Sequence, residues 1–328
     1  MSCTFENKNV LLTGGLGFIG SNVARKLLSL GCNVTIIDSL IPDYGGNKYN
    51  LDGVEDSVDI NIADVRDAHA IKHLVQKKDY LINLAGQTSH LDSMQDPMTD
   101  LEINCKAQLS ILETCRLVNP EIKIVFASTR QIYGKSQYLP VDENHPIVPV
   151  DVNGINKTAS EWYHILYNNV YGIRSCVLRL TNTYGPRMRV KDARQTFLGI
   201  WIKSVLEGIP VKVYGDGTQL RDFNFVDDVV DALLVAAAED VANGQVYNLG
   251  GSEIISLKDL AKLLVDVNGG GEYELVDFPE DLKKIDIGSY YSDFRKIKKD
   301  LKWKPEKSLR EGLAKTLSFY RKNLKEYS

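Results

Sequence analysis

The chain is short of the features that would mark a secreted, membrane-bound or nucleic-acid-binding protein. Only 5 of its 328 residues are cysteine, standing apart at positions 3, 32, 105, 115 and 176. They show no metal-type spacing, and an odd count makes no complete disulfide framework, so reduced thiols in a cytoplasmic protein are the reading they favour. Long hydrophobic runs are missing too. The longest, near Leu233 to Ala238, is far below the roughly 20 residues needed to cross a bilayer. Met1-Ser2-Cys3-Thr4 lacks the apolar segment of a secretory leader. A formal net charge of -4, with lysine pairs such as 283–284 and 298–299 too short and interrupted to form a basic run, leaves no basic surface for nucleic acid or an anionic membrane. Internal repeats and low-complexity tracts are absent from the sequence as well.

What is there begins with TGGLGFIG, residues 13–20. The apolar run Val10-Leu11-Leu12 before it reads as a buried strand. Phe18, Ile19, Val23, Leu27 and Leu28 after it recur at helical spacing up to Gly31. Strand, glycine turn and helix open a βαβ unit. Gly14 suits the tight turn, Gly17 lets backbone N–H groups approach a pyrophosphate, and Gly20 lets helix and strand pack closely. The helix N-terminus adds donors and partial positive charge. A second strand, Asn33 to Ile37, ends in Asp38, where a carboxylate can accept from both adenosine ribose hydroxyls and repel a 2′-phosphate. NAD is therefore expected over NADP. Asp64, at the end of a third strand, is placed either to meet the adenine or to close a turn.

Further apolar runs at 80–85, 122–127 and 175–180 alternate with helical patterns near 67–77, 98–118 and 155–171. Such alternation predicts an α/β fold, a doubly wound parallel sheet of the Rossmann type with helices on both faces. Residues 1–180 form the expected dinucleotide-binding domain, and the chain is expected to return to it around 222–250. Residues 181–328 form a smaller C-terminal α/β lobe for substrate, closing on an amphipathic helix near 308–324.

Ligands in such sheets bind beyond the carboxyl ends of the strands. Residues 83–90, NLAGQTSH, follow the fourth strand. Ala85 and Gly86 keep its floor flat beneath a cofactor, while Gln87, Ser89 and His90 offer polar groups above it. Ser128 and Thr129 follow the fifth strand in FASTRQIYG (126–134), with hydroxyls available to a substrate oxygen. Each could instead cap a helix or close a turn.

These segments, with RLTNTYGP (179–186), QLRDFNFVDDVVDAL (219–233) and SYYSDFRKIKKDLKWKP (289–305), resemble the extended short-chain dehydrogenase/reductase family along essentially the whole chain. The likeness is to its NAD-dependent nucleotide-sugar epimerases and dehydratases. It implies that a bound nucleotide sugar is oxidised by NAD, usually at carbon 4, and that the hydride later returns. It also implies cofactor contacts from Gly14, Gly17, Phe18, Ile19, Asp38, Asp64, Ala85 and Lys157. Thr129 matches the family's catalytic hydroxyl and Lys157 the lysine that holds the nicotinamide ribose. Asn182 and Arg221 match contacts to the sugar diphosphate, and Ser89, Arg187, Arg194 and Tyr214 are further substrate candidates. The resemblance implies a homodimer, in which the helices near 98–118 and 155–171 pair across subunits. Ile103, Ala107, Leu109, Ile111, Leu112 and Cys115 supply the apolar surplus for that interface. No metal site is expected.

At one position the chain departs from the pattern. Where the family has Tyr-x-x-x-Lys, this sequence reads Asn153-Gly154-Ile155-Asn156-Lys157, followed by Glu161. An amide cannot take a proton from an alcohol near neutral pH. His90, Lys157 or a water held by Asn153 are the alternative proton acceptors, or the protein binds its ligands without turning them over. Thr129 is followed by Arg130 and Gln131 in place of the acids that elimination or decarboxylation would require. Epimerisation is the activity this pattern favours.

Overall fold

A computed structural model describes residues 5–42, 44–192 and 196–328. Seven parallel strands form the main sheet: β1 (Asn9–Thr13), β2 (Asn33–Asp38), β3 (Val58–Ile62), β4 (Tyr80–Asn83), β5 (Lys123–Thr129), β6 (Ser175–Leu180) and, after three strands that lie outside it, β10 (Val246–Asn248). Their order is β10-β6-β5-β4-β1-β2-β3, with every neighbouring pair parallel. The order reverses between β1 and β4, which opens a crevice above that point.

Helices Phe18–Ser29 and Val226–Ala238 cover one face of the sheet, and Ala68–Leu74, Ala107–Val118 and Val152–Tyr171 cover the other. Both faces are therefore buried, which is why the central strands read as continuous apolar runs. Two small sheets build the second lobe. One holds β7 (Asn182–Tyr184), β9 (Leu220–Phe225) and β11 (Ile254–Ser256); the other pairs β8 (Val211–Tyr214) with β12 (Tyr273–Val276). A single hydrophobic cluster runs from Val10, Leu12 and Val125 in the sheet to Trp201, Phe223 and Leu260 in that lobe.

Several sequence expectations shift. The third strand ends at Ile62, so Asp64 stands just beyond it. The loop after β4 turns helical at His90, with Ser89 as N-cap accepting the Asp92 N–H at 3.1 Å. The pattern at 98–118 is a helical run interrupted by a π-turn at Glu102–Lys106. Its apolar side chains Ile103, Ala107, Ile111, Leu112 and Cys115 are buried within the subunit, and Leu109 is packed against the same core. They pack mainly against the chain's own core, while Met98, Leu101 and Leu117 of the same run stay exposed. The exposed apolar stripe lies on the neighbouring helix, at Ile155, Trp162, Leu166 and Val170. Among the described residues no helix is long and apolar enough to cross a membrane.

Candidate active site

Thr13, the last residue of β1, ties the first and fourth strand ends together. Its Oγ1 donates to Asn83 at 2.7 Å and accepts the Leu84 and Ala85 N–H groups at 3.0 Å each. The loop after β4 is thereby pinned flat beside the glycine turn. At Gly20 a Cβ would lie 2.2 Å from the Gly14 carbonyl, so helix and turn meet only because the side chain is missing. The helix that follows has Gly17 as N-cap, with no side chain satisfying its first N–H groups. Those donors and the helix dipole face a cavity of about 840 Å³ that runs along the strand ends into the second lobe.

Gly14, Gly17, Phe18, Ile19, Asp38, Asp64 and Ala85 all line this cavity. Asp38 accepts the Leu16 N–H at 3.0 Å and the Leu40 N–H at 2.9 Å. Burial raises its carboxyl above the usual range, against the pull of those two donors. Asp64 is engaged by Arg66, with Nη2 2.8 Å and Nε 3.0 Å from its two oxygens. The Arg66 hydrogen bond holds its carboxyl below the usual range, which suits a turn closure better than a group free to meet adenine.

Thr129, Asn153, Lys157 and His90 all line the same cavity. Thr129 Oγ1 accepts the Gln131 N–H at 3.2 Å, leaving its own proton to donate. Lys157 Nζ reaches the Ala127 carbonyl at 3.2 Å and stands 4.8 Å above the Phe126 ring. Burial pushes its amine down to about 8, partly opposed by Asp100 and Glu161. A Cβ at Gly86 would come within 3.0 Å of that Nζ. Beside it, Asn104 Oδ1 and Gln87 Oε1 are buried without a hydrogen-bond partner. Open glycine cradle, unsatisfied helix donors and these unpaired acceptors together fit a dinucleotide lying along the strand ends.

Asn153 is buried, and its amide nitrogen donates to the Gln87 carbonyl at 2.8 Å and to Asp100 Oδ2 at 3.2 Å. Both partners are acceptors, so the amide's orientation is fixed and its carbonyl oxygen is what it can offer a ligand. His90 Nδ1 lies 3.0 Å from Asp151 Oδ2. Asp151 caps the helix Val152–Tyr171 through the Gly154 N–H at 2.7 Å and also takes the Gln131 amide at 2.9 Å. Burial alone would raise the Asp151 carboxyl; His90 and these donors outweigh it and bring it below the usual range. Glu161 is bound to Arg179 at 2.6 Å and to the Ser128 hydroxyl. It is a buried structural pair away from the cavity wall.

Asn182, Tyr214 and Arg221 line the cavity from the second lobe, and Ser89 lines it after β4. Asn182 Nδ2 donates to the Asp222 carbonyl at 2.8 Å. Arg221 is buried and lies 3.7 Å from Asp286. Arg187 is a correction. It does not line the cavity; its guanidinium donates to Asn22 at 3.0 Å and stacks over Phe319, 5.3 Å from the ring centre. It fastens the C-terminal helix to the first helix instead of meeting a phosphate. Arg194 lies outside the described residues. Asp151 and Arg130 were missed by sequence reasoning as site residues. An aspartate just before a helical pattern is a readable N-cap signal, but its contact with His90 is not.

A glycine-turn helix aimed into a crevice at the switch point, with a buried lysine and a strand-end threonine beside it, defines a dinucleotide-dependent enzyme of the α/β class. The comparisons agree. The chain belongs to the NAD dependent epimerase/dehydratase family, whose model matches residues 10–250, and its cofactor is NAD. It is 35% identical over 316 residues to a Methanocaldococcus jannaschii protein provisionally named a UDP-glucose 4-epimerase, covering 96% of this chain and 99% of that one. A Thermotoga maritima UDP-glucose 4-epimerase solved with UDP-glucose superposes with a TM-score of 0.86 at 31% identity, covering 96% and 99%. A Methanobrevibacter ruminantium UDP-N-acetylglucosamine 4-epimerase in complex with UDP-N-acetylmuramic acid gives 0.89 at 28% identity, covering 97% and 99%.

Proposed function

We propose that the protein is a nucleotide-sugar epimerase that inverts carbon 4 through a transient ketone. The end of β5 carries this reading. Thr129 lines the cavity with a proton free to donate, while the next two positions hold no acid for elimination or decarboxylation. Gln131 is an amide already bound to Asp151. Bound NAD supplies the acceptor and later the donor of the carbon 4 hydride. Thr129 holds the reacting oxygen, and His90, whose Nδ1 lies 3.0 Å from Asp151, keeps Nε2 to take the hydroxyl proton and return it after the ketone has turned its other face. Asn153 orients that oxygen or a bridging water. Lys157 adds positive charge beneath it and holds the ribose, while Asp38 receives the adenosine ribose. Arg221, Asn182, Tyr214 and Ser89 hold the nucleotide-sugar end.

Incubation with a panel of nucleotide sugars in deuterated water tests this. A new sugar free of ring deuterium is the expected product. Deuterium beside the carbonyl would instead mean another epimerisation site or an elimination. One observation, the engagement of the Asn153 donors, favours a second reading as a non-catalytic NAD and sugar-nucleotide binder. Binding without any product would establish that reading.

The same reading includes a homodimer. The exposed stripe Ile155, Trp162, Leu166 and Val170, with Met94 and Met98 on the adjoining helices, is an apolar face of the kind a second copy covers. The described cysteines 32, 105, 115 and 176 are free thiols, which supports a cytoplasmic setting.

A further inference from the structure

Arg130 follows Thr129 directly, so it leaves the sheet where the reacting end of a sugar would lie. Its side chain lines the cavity, donates to Asn182 Oδ1 at 3.0 Å and to Gln131 Oε1 at 3.4 Å, and lies over Tyr290, 5.4 Å from the ring centre. All three partners are neutral. Among the described residues no carboxylate forms an ion pair with it.

The acids around it are committed elsewhere. Asp222 accepts from the Thr181 hydroxyl and the Gly251 and Ser292 N–H groups. Asp286 accepts from Gln219 at 2.8 Å and stands near Arg221. Asp151 serves His90, Gln131 and Gly154. The contrast with Arg179, a buried guanidinium of the same sheet, is plain, since Arg179 is paired with Glu161. Burial lowers the Arg130 guanidinium below its ordinary range. Arg221, in the same cavity, is pushed down to about 10, by burial first and then by the charge of Arg130. Two like charges on one wall, one of them without a counterion, call for an anion from the ligand.

A neutral nucleotide sugar brings only its diphosphate, for which Arg221 and Lys212 are available on the second lobe. Arg130 leaves the sheet beside Thr129, and its guanidinium reaches across to Asn182. On a hexose ring, carbon 6 is two bonds from carbon 4, so a side chain next to Thr129 can reach a carbon 6 carboxylate while Thr129 meets oxygen 4. The planar guanidinium fork suits such a group bidentately. Resting on the nucleotide-sugar reading above, we propose that Arg130 receives a carboxylate carried by the sugar itself. The substrate class is then an acidic nucleotide sugar of the uronic acid kind.

Calorimetry on the NAD-bound enzyme tests this in two stages. UDP, dTDP, GDP and CDP identify the carrier, and the glucose and glucuronic acid conjugates of that carrier are then compared. The wild-type enzyme should bind the acid about tenfold or more tightly than the neutral sugar, the scale of one hydrogen bond to a charged group. Arg130→Gln should abolish that preference, with a loss on the acid that the bare diphosphate does not share. Equal wild-type affinity for acid and neutral sugar overturns the proposal. So does an equal loss on the bare diphosphate, which would make Arg130 a phosphate ligand. Failure of every nucleoside diphosphate to bind would bring down the nucleotide-sugar reading itself. If Arg130→Gln does not fold, the wild-type comparison decides alone.

Discussion

The Asn153 amide donates to the Asp100 carboxylate at 3.2 Å in a place closed to solvent. Asn104 and Asn156 donate to the same carboxylate at 2.9 and 2.8 Å, so a fully buried acid is held by three neutral amides. Position 153 is thus a member of a polar cradle as well as a neighbour of the cavity. A phenol there would supply one donor in place of two and would need more room.

Asn153→Tyr should therefore lower turnover, and it should also destabilise the fold by about 1–3 kcal/mol, the cost of leaving buried acceptors unpaired. Denaturant unfolding and the transient signal of reduced nicotinamide report the two effects separately. Faster hydride transfer in this variant would mean that the site is an ordinary one lacking its base.

His90→Ala should cut kcat by about 10²–10⁴, the usual worth of general acid–base assistance, and by more than Asn153→Ala does. Asp151→Asn keeps an N-cap side chain, so the helix start survives. Its effect should be a smaller fall in kcat with KM largely held, as suits a residue that positions the imidazole. An unchanged kcat in both variants would remove His90 from the mechanism.

Lys157 gives the fold a pH dependence of known sign. Its amine titrates at about 8 in the folded chain, against an ordinary 10.5. Between those values the unfolded chain holds a proton that the folded chain has released, so this group's contribution to stability rises with pH across the window. Urea midpoints measured across that window should climb more steeply in the wild type than in Lys157→Met. Parallel curves would contradict the shift.

Asp38 should make NAD the tighter cofactor, because its carboxylate opposes a 2′-phosphate. Titration of cofactor-free protein with NAD and NADP measures the preference, and Asp38→Asn should narrow it. Stronger NADP binding to the wild type would sink the assignment.

Trp162 is 63% exposed in the single chain. Light scattering at micromolar concentration should give a dimer mass, and Trp162→Glu, which puts a charge into that face, should shift it toward monomer. A monomeric wild type would leave the stripe without its proposed partner.

The glycine turn, Asp38 and the strand ends were legible in the sequence because each is a local pattern: a turn that needs glycine, a period that marks a strand, a carboxylate at a fixed distance along the chain. Thr129 and Lys157 were legible through family motifs. His90 meeting Asp151 was not, since 61 positions separate them and only the packing of two helix starts brings them together. Arg187 misled for the same reason. In the sequence it reads as a substrate candidate, but the fold turns it toward Asn22 and Phe319. Arg130 was visible as the absence of an acid, while its lack of a counterion depends on where Asp222 and Asp286 point.

The hydrophobic cluster that joins Leu12 and Val125 to Trp201 and Leu260 sets a mechanical limit on recognition. Two lobes welded through shared apolar side chains do not swing apart about a linker, because opening them would expose that cluster to water. The gap between strand ends and second lobe accordingly behaves as a slot of set width. Discrimination among sugars then falls to the side chains that line the slot, and a ligand of the wrong length is refused without any closing motion.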